Sequence, residues 1–131
     1  MAKSSQVQIT SPERLKAFSV RQPWAEEIMR GSKTIEYKTR PTHIRGRVYV
    51  YASLGRYSAD EETEFTSMVG YGLEKLPRGV VVGTVEIVDC VDNGCEFEWH
   101  LANPLRLPHP LAPIERAQPV WFHPFGAHEK E

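Results

Sequence analysis

Residues Gly79 to Val88, GVVVGTVEIV, constrain the fold more than any other stretch of the chain. The run is nearly all apolar, rich in β-branched valine and free of charge until Glu86, which marks a strand buried on both faces. Such a strand needs cover on each side, and a chain of 131 residues supplies it most simply as a small closed barrel. Asn93-Gly94, the strongest two-residue hairpin signal, predicts that this strand turns back, with Glu96 to Leu101 as its return.

Shorter segments complete the sheet. Leu15 to Val20 alternates as a strand does, and Thr34–Arg40 and Arg47–Ser53 are rich in Ile, Val, Tyr and Thr. Two helices lie between them. Pro23 suits a first helical turn, Trp24, Ala25, Ile28 and Met29 follow at helical spacing, and Gly31 occupies the place of a terminating glycine. Ser58 with Glu61 three residues later forms a capping-box pattern, and Phe65, Met68 and Val69 make up the predicted buried side of that second helix. Six of the ten prolines fall between Pro104 and Pro124, so the last third reads as extended chain and turns. The expectation is an α+β chain: a small, mostly antiparallel β-barrel with two or so edge helices. Residues 15–125 form one domain, with polar tails at 1–14 and 126–131.

Charge narrows the function. Net charge is −1, which excludes a polycation-like binder of nucleic acid. The distribution is uneven, however. Arg30 to Arg47 carries six Lys/Arg and one acid, Glu36, whereas Tyr57 to Leu76 carries five acids against one base, Lys75. By alternation Arg45, Arg47, Tyr49, Tyr51 and Ser53 share one strand face, and Thr34, Glu36, Lys38 and Arg40 share another. Basic faces carrying aromatic rings suit phosphates and stacked bases. Tyr49 and Tyr51 equally suit barrel packing with their hydroxyls at the rim, and the sequence leaves both open.

Three motifs in order, Gln22-Pro23-Trp24-Ala25, Gly31-Ser32-Lys33-Thr34-Ile35-Glu36 and Arg45-Gly46-Arg47 with Tyr49-Val50-Tyr51-Ala52-Ser53, resemble the ASCH (activating-signal-cointegrator homology) domain. Gly83-Thr84-Val85, Trp99, Asn103-Pro104, Pro110 and Trp121 extend the resemblance from about Leu15 to Phe122. It implies a PUA-like barrel with a cleft beside the first helix, and RNA, DNA or nucleotide binding. Some small members are amidohydrolases of N4-acylated cytidines, and ribonuclease activity also occurs in the family. In the amidohydrolases a lysine opens the K-T-I segment and a threonine three residues on is the nucleophile. Lys33 matches the lysine, but the threonine position is Glu36, and a carboxylate cannot replace a hydroxyl nucleophile in that mechanism. Only Lys33 is carried over.

The expected function is therefore nucleic-acid or nucleotide binding, with RNA favoured and DNA possible. The alternative is a small hydrolase of modified nucleosides, or a metal-independent ribonuclease, using Lys33 and Glu36 as its catalytic pair. That pair forms only if Lys33 lies in the turn, because three residues along a regular strand point to opposite faces. Binding residues are expected at Gln22, Trp24, Lys33, Lys38 and Arg40, and further along at Arg45, Arg47, Tyr51 and Ser53. Trp24 either caps the barrel or lines the pocket, and Ser53 either donates into the cleft or simply ends its strand. Cys90, Cys95 and His100 lack a zinc-knuckle spacing, so no metal or cofactor is expected. No apolar run approaches the roughly 18 residues of a membrane span, and the N-terminal stretch lacks a signal-peptide apolar core. A cytoplasmic monomer that meets no membrane is the simplest expectation.

Overall fold

A computed structural model describes residues 15–118 and 120–126; the sequence-predicted tails lie outside them, apart from Gly126. Six strands and two helices follow in the order β1 Ala17–Val20, α1 Trp24–Arg30, β2 Ile35–Lys38, β3 Gly46–Ala52, α2 Ala59–Val69, β4 Val80–Asp92, β5 Phe97–Leu111 and β6 Trp121–Phe122. They form a single mixed sheet in the order β2-β5-β4-β3-β1-β6, in which only β1 and β3 run parallel. The α+β, barrel-like architecture expected from the sequence is the one observed.

The valine-rich run forms the middle of the sheet. Val81, Val82, Gly83, Val85 and Ile87 are buried, whereas Val88 emerges at the surface as the strand passes the end of its cover. Gly83 is required by its surroundings: a Cβ there would lie 2.4 Å from the Leu105 carbonyl oxygen and 2.3 Å from the Met29 sulfur. Met29 of α1 packs against the sheet at this point. One core gathers Phe18, Ile28, Val48, Val50, Val85, Ile87 and Trp99 between α1 and the sheet. A second, smaller one on the opposite face holds Ala17, Tyr49, Tyr51, Val81 and Phe122.

Three local readings need correction. The β4–β5 connection spans four residues, Asn93 to Glu96, because Asp92 pairs with Phe97 and the Asn93 side chain accepts from the N–H groups of Cys95 and Glu96. The return strand is also far longer than expected and continues through Pro104, Pro108 and Pro110 to Leu111. It can do so because β2 covers β5 only from Phe97 to His100; beyond that β5 borders β4 alone, and edge positions tolerate a missing N–H. Finally, α2 has its capping box, but its inward side consists of Glu62, Phe65, Thr66 and Val69, while Met68 is 65% exposed. Glu62 faces inward because Arg56 holds it in a two-pronged ion pair at 2.7 and 3.0 Å, which rotates Met68 out to water.

Helix α1 ends at Gly31 in the left-handed conformation, φ 82°, as expected. Pro23 stands one position earlier than predicted, as the N-cap. The Gln22 side chain takes over the capping duty: its carbonyl accepts from the Glu26 N–H at 3.0 Å and its amide donates to the Pro77 carbonyl at 2.9 Å.

Candidate nucleic-acid interface

The strongly curled sheet brings β2, one of its edges, back towards β1. No backbone ladder closes this gap; instead the Lys38 ammonium on β2 donates to the Ser19 carbonyl on β1 at 2.9 Å. Phe18, Trp99 and Trp121 fill the space behind, with the two tryptophan rings stacked at 5.3 Å. In front of the gap lies a cleft of about 550 Å³, within the size range of small-ligand pockets.

Four of the sequence-predicted site residues line this cleft: Glu36, Lys38, Tyr51 and Ser53. Lys33 lies in the turn before β2, and its ammonium is 3.3 Å from one Glu36 carboxylate oxygen while Lys38 is 3.4 Å from the other. The Lys33–Glu36 pair therefore exists, and Lys38 makes it a trio. All three side chains are more than four-fifths buried. Lys33 also donates to the Ile35 carbonyl, so each ammonium makes one backbone hydrogen bond and faces Glu36 across an ion pair.

The other predicted residues are placed differently. Gln22 is fully buried and occupied with the helix cap described above. Trp24 packs against the core and edge-on against Phe65; it does not line the cleft but lines a separate, smaller hollow of about 330 Å³ with Lys33 and Tyr37. Arg40 is exposed, and it is its carbonyl that is used, accepting from the Trp99 indole at 3.0 Å. Arg45 donates to the Thr42 and Ile44 carbonyls, and Arg47 to Thr84 Oγ1, the Asn103 carbonyl and Glu86. Neither arginine lines the cleft. Tyr51 reaches it only with a ring margin, being 95% buried and edge-on to Phe122, and Tyr49 packs against Phe125.

The cleft adds residues that the sequence did not single out. Arg21, just before α1, lays its guanidinium 4.9 Å over the Tyr57 ring, and both line the cleft with Ser19 and Gln118. Among the described residues no carboxylate lies within ion-pair distance of Arg21. Gly55 leaves room for it, since a Cβ there would meet the Arg21 Nε at 3.0 Å. Tyr57 rests edge-on against Phe65 of α2 at 4.9 Å. Burial, the largest influence, pushes its hydroxyl above the ordinary tyrosine range. Helix α2 thus braces the aromatic wall of the cleft through one residue, Phe65.

Elsewhere, Cys90 pairs with Trp99 across the hairpin and Cys95 occupies its loop. Among the described residues no three potential ligands gather as a metal site would require. No described helix is long and apolar enough to cross a membrane.

The chain is similar to known proteins. Activating signal cointegrator 1 of Homo sapiens and that of Mus musculus are each 32% identical to the chain over 81 residues, which cover 56% of this chain and 14% of theirs. The match therefore spans about one seventh of the length of these curated relatives. The family model of the ASCH domain matches residues 18–119, from the first buried strand to just past the cleft residue Gln118. With that span covering most of the chain and the whole curled sheet up to β6, the chain belongs to the ASCH domain family.

Proposed function

We propose that the cleft between β1 and β2 binds nucleotides, with single-stranded RNA as the favoured ligand. The observation that carries this reading is Arg21: a guanidinium with no carboxylate partner among the described residues, laid over Tyr57 in the same cleft as Lys38. Its planar face and the tyrosine ring offer a stacking surface, and its edge N–H groups offer donors to a phosphate. Lys38 contributes its ammonium charge to the same anion. Glu36 supplies the opposite polarity, since a carboxylate accepts from an exocyclic base amino group. The Lys33–Glu36–Lys38 trio carries one net positive charge and Arg21 raises it to two, which favours a polyanion without making the whole chain basic.

Membership in a family associated with RNA binding is consistent with this chemistry, as is the basic segment around Lys33 and Lys38. The test is incubation with short single-stranded RNA, tRNA and N4-acetylcytidine, followed by mass spectrometry of ligand and product. Retention of RNA without turnover, weakening as salt rises and weakened further by Lys38→Ala or Arg21→Ala, is the expected result. Product formation that disappears with Lys33→Ala would replace the binding reading by a hydrolase in which Lys33 and Glu36 act chemically. Retention unaffected by either cleft substitution would remove the cleft from the binding site.

A further inference from the structure

The cleft has a neighbour. Lys33, Trp24 and Tyr37 line the 330 Å³ hollow, which lies on the other side of β2, because Glu36 and Lys38 alternate with Ile35 and Tyr37 along that strand. Two links cross the wall between the two cavities: the Lys33–Glu36 ion pair, and the Phe65 ring against which both Trp24 and Tyr57 pack edge-on. Each joins a residue lining one cavity to a residue lining the other. The hollow is also built like a smaller copy of the cleft. An ammonium, Lys33, lies 5.4 Å over the ring of Tyr37, as Arg21 lies over Tyr57. Tyr37 is 47% exposed, so its ring is accessible from the hollow it lines. Its one carboxylate, Glu27, is already occupied by the Tyr71 hydroxyl and the Ser32 hydroxyl, both at 2.6 Å.

We infer that this hollow is a second base subsite, so that the ligand is single-stranded RNA of at least two nucleotides rather than a free mononucleotide. The inference rests on the cleft reading above and narrows it. One base occupies the cleft beside Arg21 and Tyr57, and its neighbour lies against Tyr37 and Trp24. The phosphate linking them crosses the wall at the trio, where the ammonium groups of Lys33 and Lys38 pair with the two oxygens of the Glu36 carboxylate. Glu36 then acts in a second way, holding one ammonium group at each of its two oxygens while leaving the trio a net positive charge for the crossing phosphate.

The test compares two probes on the full chain by isothermal calorimetry, adenosine 5′-monophosphate and the 5′-phosphorylated dinucleotide pApA. They share a 5′-phosphate and differ by one nucleotide. The dinucleotide is expected to bind roughly ten- to a hundredfold more tightly, as one added base stack allows. Tyr37→Ala is expected to lower pApA affinity to that of the mononucleotide while leaving the mononucleotide within about twofold, and Tyr37→Phe should retain the full dinucleotide affinity. Because Tyr37 is half-exposed on an edge strand, neither substitution disturbs a core. Mononucleotide binding with no gain for pApA would overturn the second subsite and leave the cleft reading standing. A gain for pApA that survives Tyr37→Ala would also overturn it, by placing the second contact elsewhere. Failure of both probes to bind would overturn the subsite and the cleft together.

Discussion

Glu26 and Glu36 each sit between two basic side chains, yet the cations differ in kind and so does the space around them. Glu26, on α1, accepts from Arg30 at 2.7 Å and from both terminal nitrogens of Arg106 at 2.9 and 3.1 Å. These are short, directed, two-pronged bonds that join α1 to β5 and satisfy the carboxylate. Glu36 meets two lysines at 3.3 and 3.4 Å, longer contacts to point charges, and it opens onto a cavity. Arginine forks fasten two elements together, whereas lysine ammoniums hold a carboxylate while remaining available to a ligand. A carboxylate between two cations is therefore a structural clamp in one place and a candidate recognition element in the other.

The largest expected difference between the two is in stability. Glu26→Ala should cost about 2 kcal/mol, below the range for fully buried pairs because both arginines are about half exposed and return to water. For a domain of this size that lowers Tm by roughly 6–10 °C. Glu36→Gln should lower Tm by less than about 3 °C, because the amide keeps the shape and one acceptor oxygen, and Lys33 and Lys38 each border a cavity into which the ammonium can turn. Differential scanning calorimetry of both variants measures the contrast; equal losses would mean that Glu36 is a clamp as well.

Ligand affinity should order the two sites the other way. Lys38→Ala should weaken single-stranded RNA binding about tenfold, the scale of one charge-assisted contact. It should also reduce the slope of log affinity against log salt by about 0.7, one phosphate's share for a single strand. Arg106→Ala should change neither quantity beyond about twofold. Fluorescence anisotropy over a salt series reads both, and an Arg106 effect as large as that of Lys38 would erase the distinction.

Much of this contrast is beyond the reach of sequence reasoning, for identifiable reasons. Strands and caps are local: the valine run, Gly31 and the Ser58–Glu61 box report on their own neighbourhoods, and the structure has them where the pattern puts them. The charge trio is semi-local, since Lys33, Glu36 and Lys38 lie within six residues. Period-two alternation, however, assigns a face and not a position along a curling sheet. It puts Arg45 and Arg47 on the face of Tyr51, but the cleft opens only at the Tyr51 end of β3, and Arg47 finds Glu86 and Thr84 on the neighbouring strand instead. Arg21, Tyr57 and Gln118 come together only because β2 swings back towards β1. Arg21 also lies outside the basic segment between Arg30 and Arg47. The one local hint is Gly55, two residues before Tyr57, whose need for a missing Cβ becomes apparent only once Arg21 is seen beside it.

Gly55→Ala tests that placement with a smaller effect. Its Cβ would press on the Arg21 Nε at 3.0 Å, and a flexible arginine can move away by a few tenths of an ångström. The guanidinium should leave its position over Tyr57, weakening RNA binding about threefold, a fraction of one cation–π contact. Tm should stay within about 2 °C, since no core residue is displaced. A loss as large as that of Arg21→Ala would show that the arginine cannot adapt, and no loss would show that its pose over Tyr57 is immaterial to binding.

The subtlest expected signal separates the arginine clamp from the rest of the molecule through pH. Burial works to raise the Glu26 pKa, but the hydrogen bonds from Arg106 and Arg30 outweigh it and hold the carboxyl below its ordinary value of 4.5. A carboxylate whose folded pKa is depressed stabilises the fold fully above its unfolded pKa and loses that contribution as pH falls through the folded one. The Tm of the native chain should therefore drop on acidification below about pH 4.5, and part of that drop should be absent from Glu26→Gln, which has nothing to protonate. Glu62 and Glu98, held low by Arg56 and by His100 with Asn93 respectively, contribute their own acid sensitivity in both proteins. The informative quantity is thus the difference in Tm between native and variant, which should hold from neutral pH down to about pH 4.5 and narrow below it towards pH 3. A difference that stays constant across that range would mean that the clamp acts by shape alone, and that its charge does no more for the fold than the looser lysine pair beside the cleft.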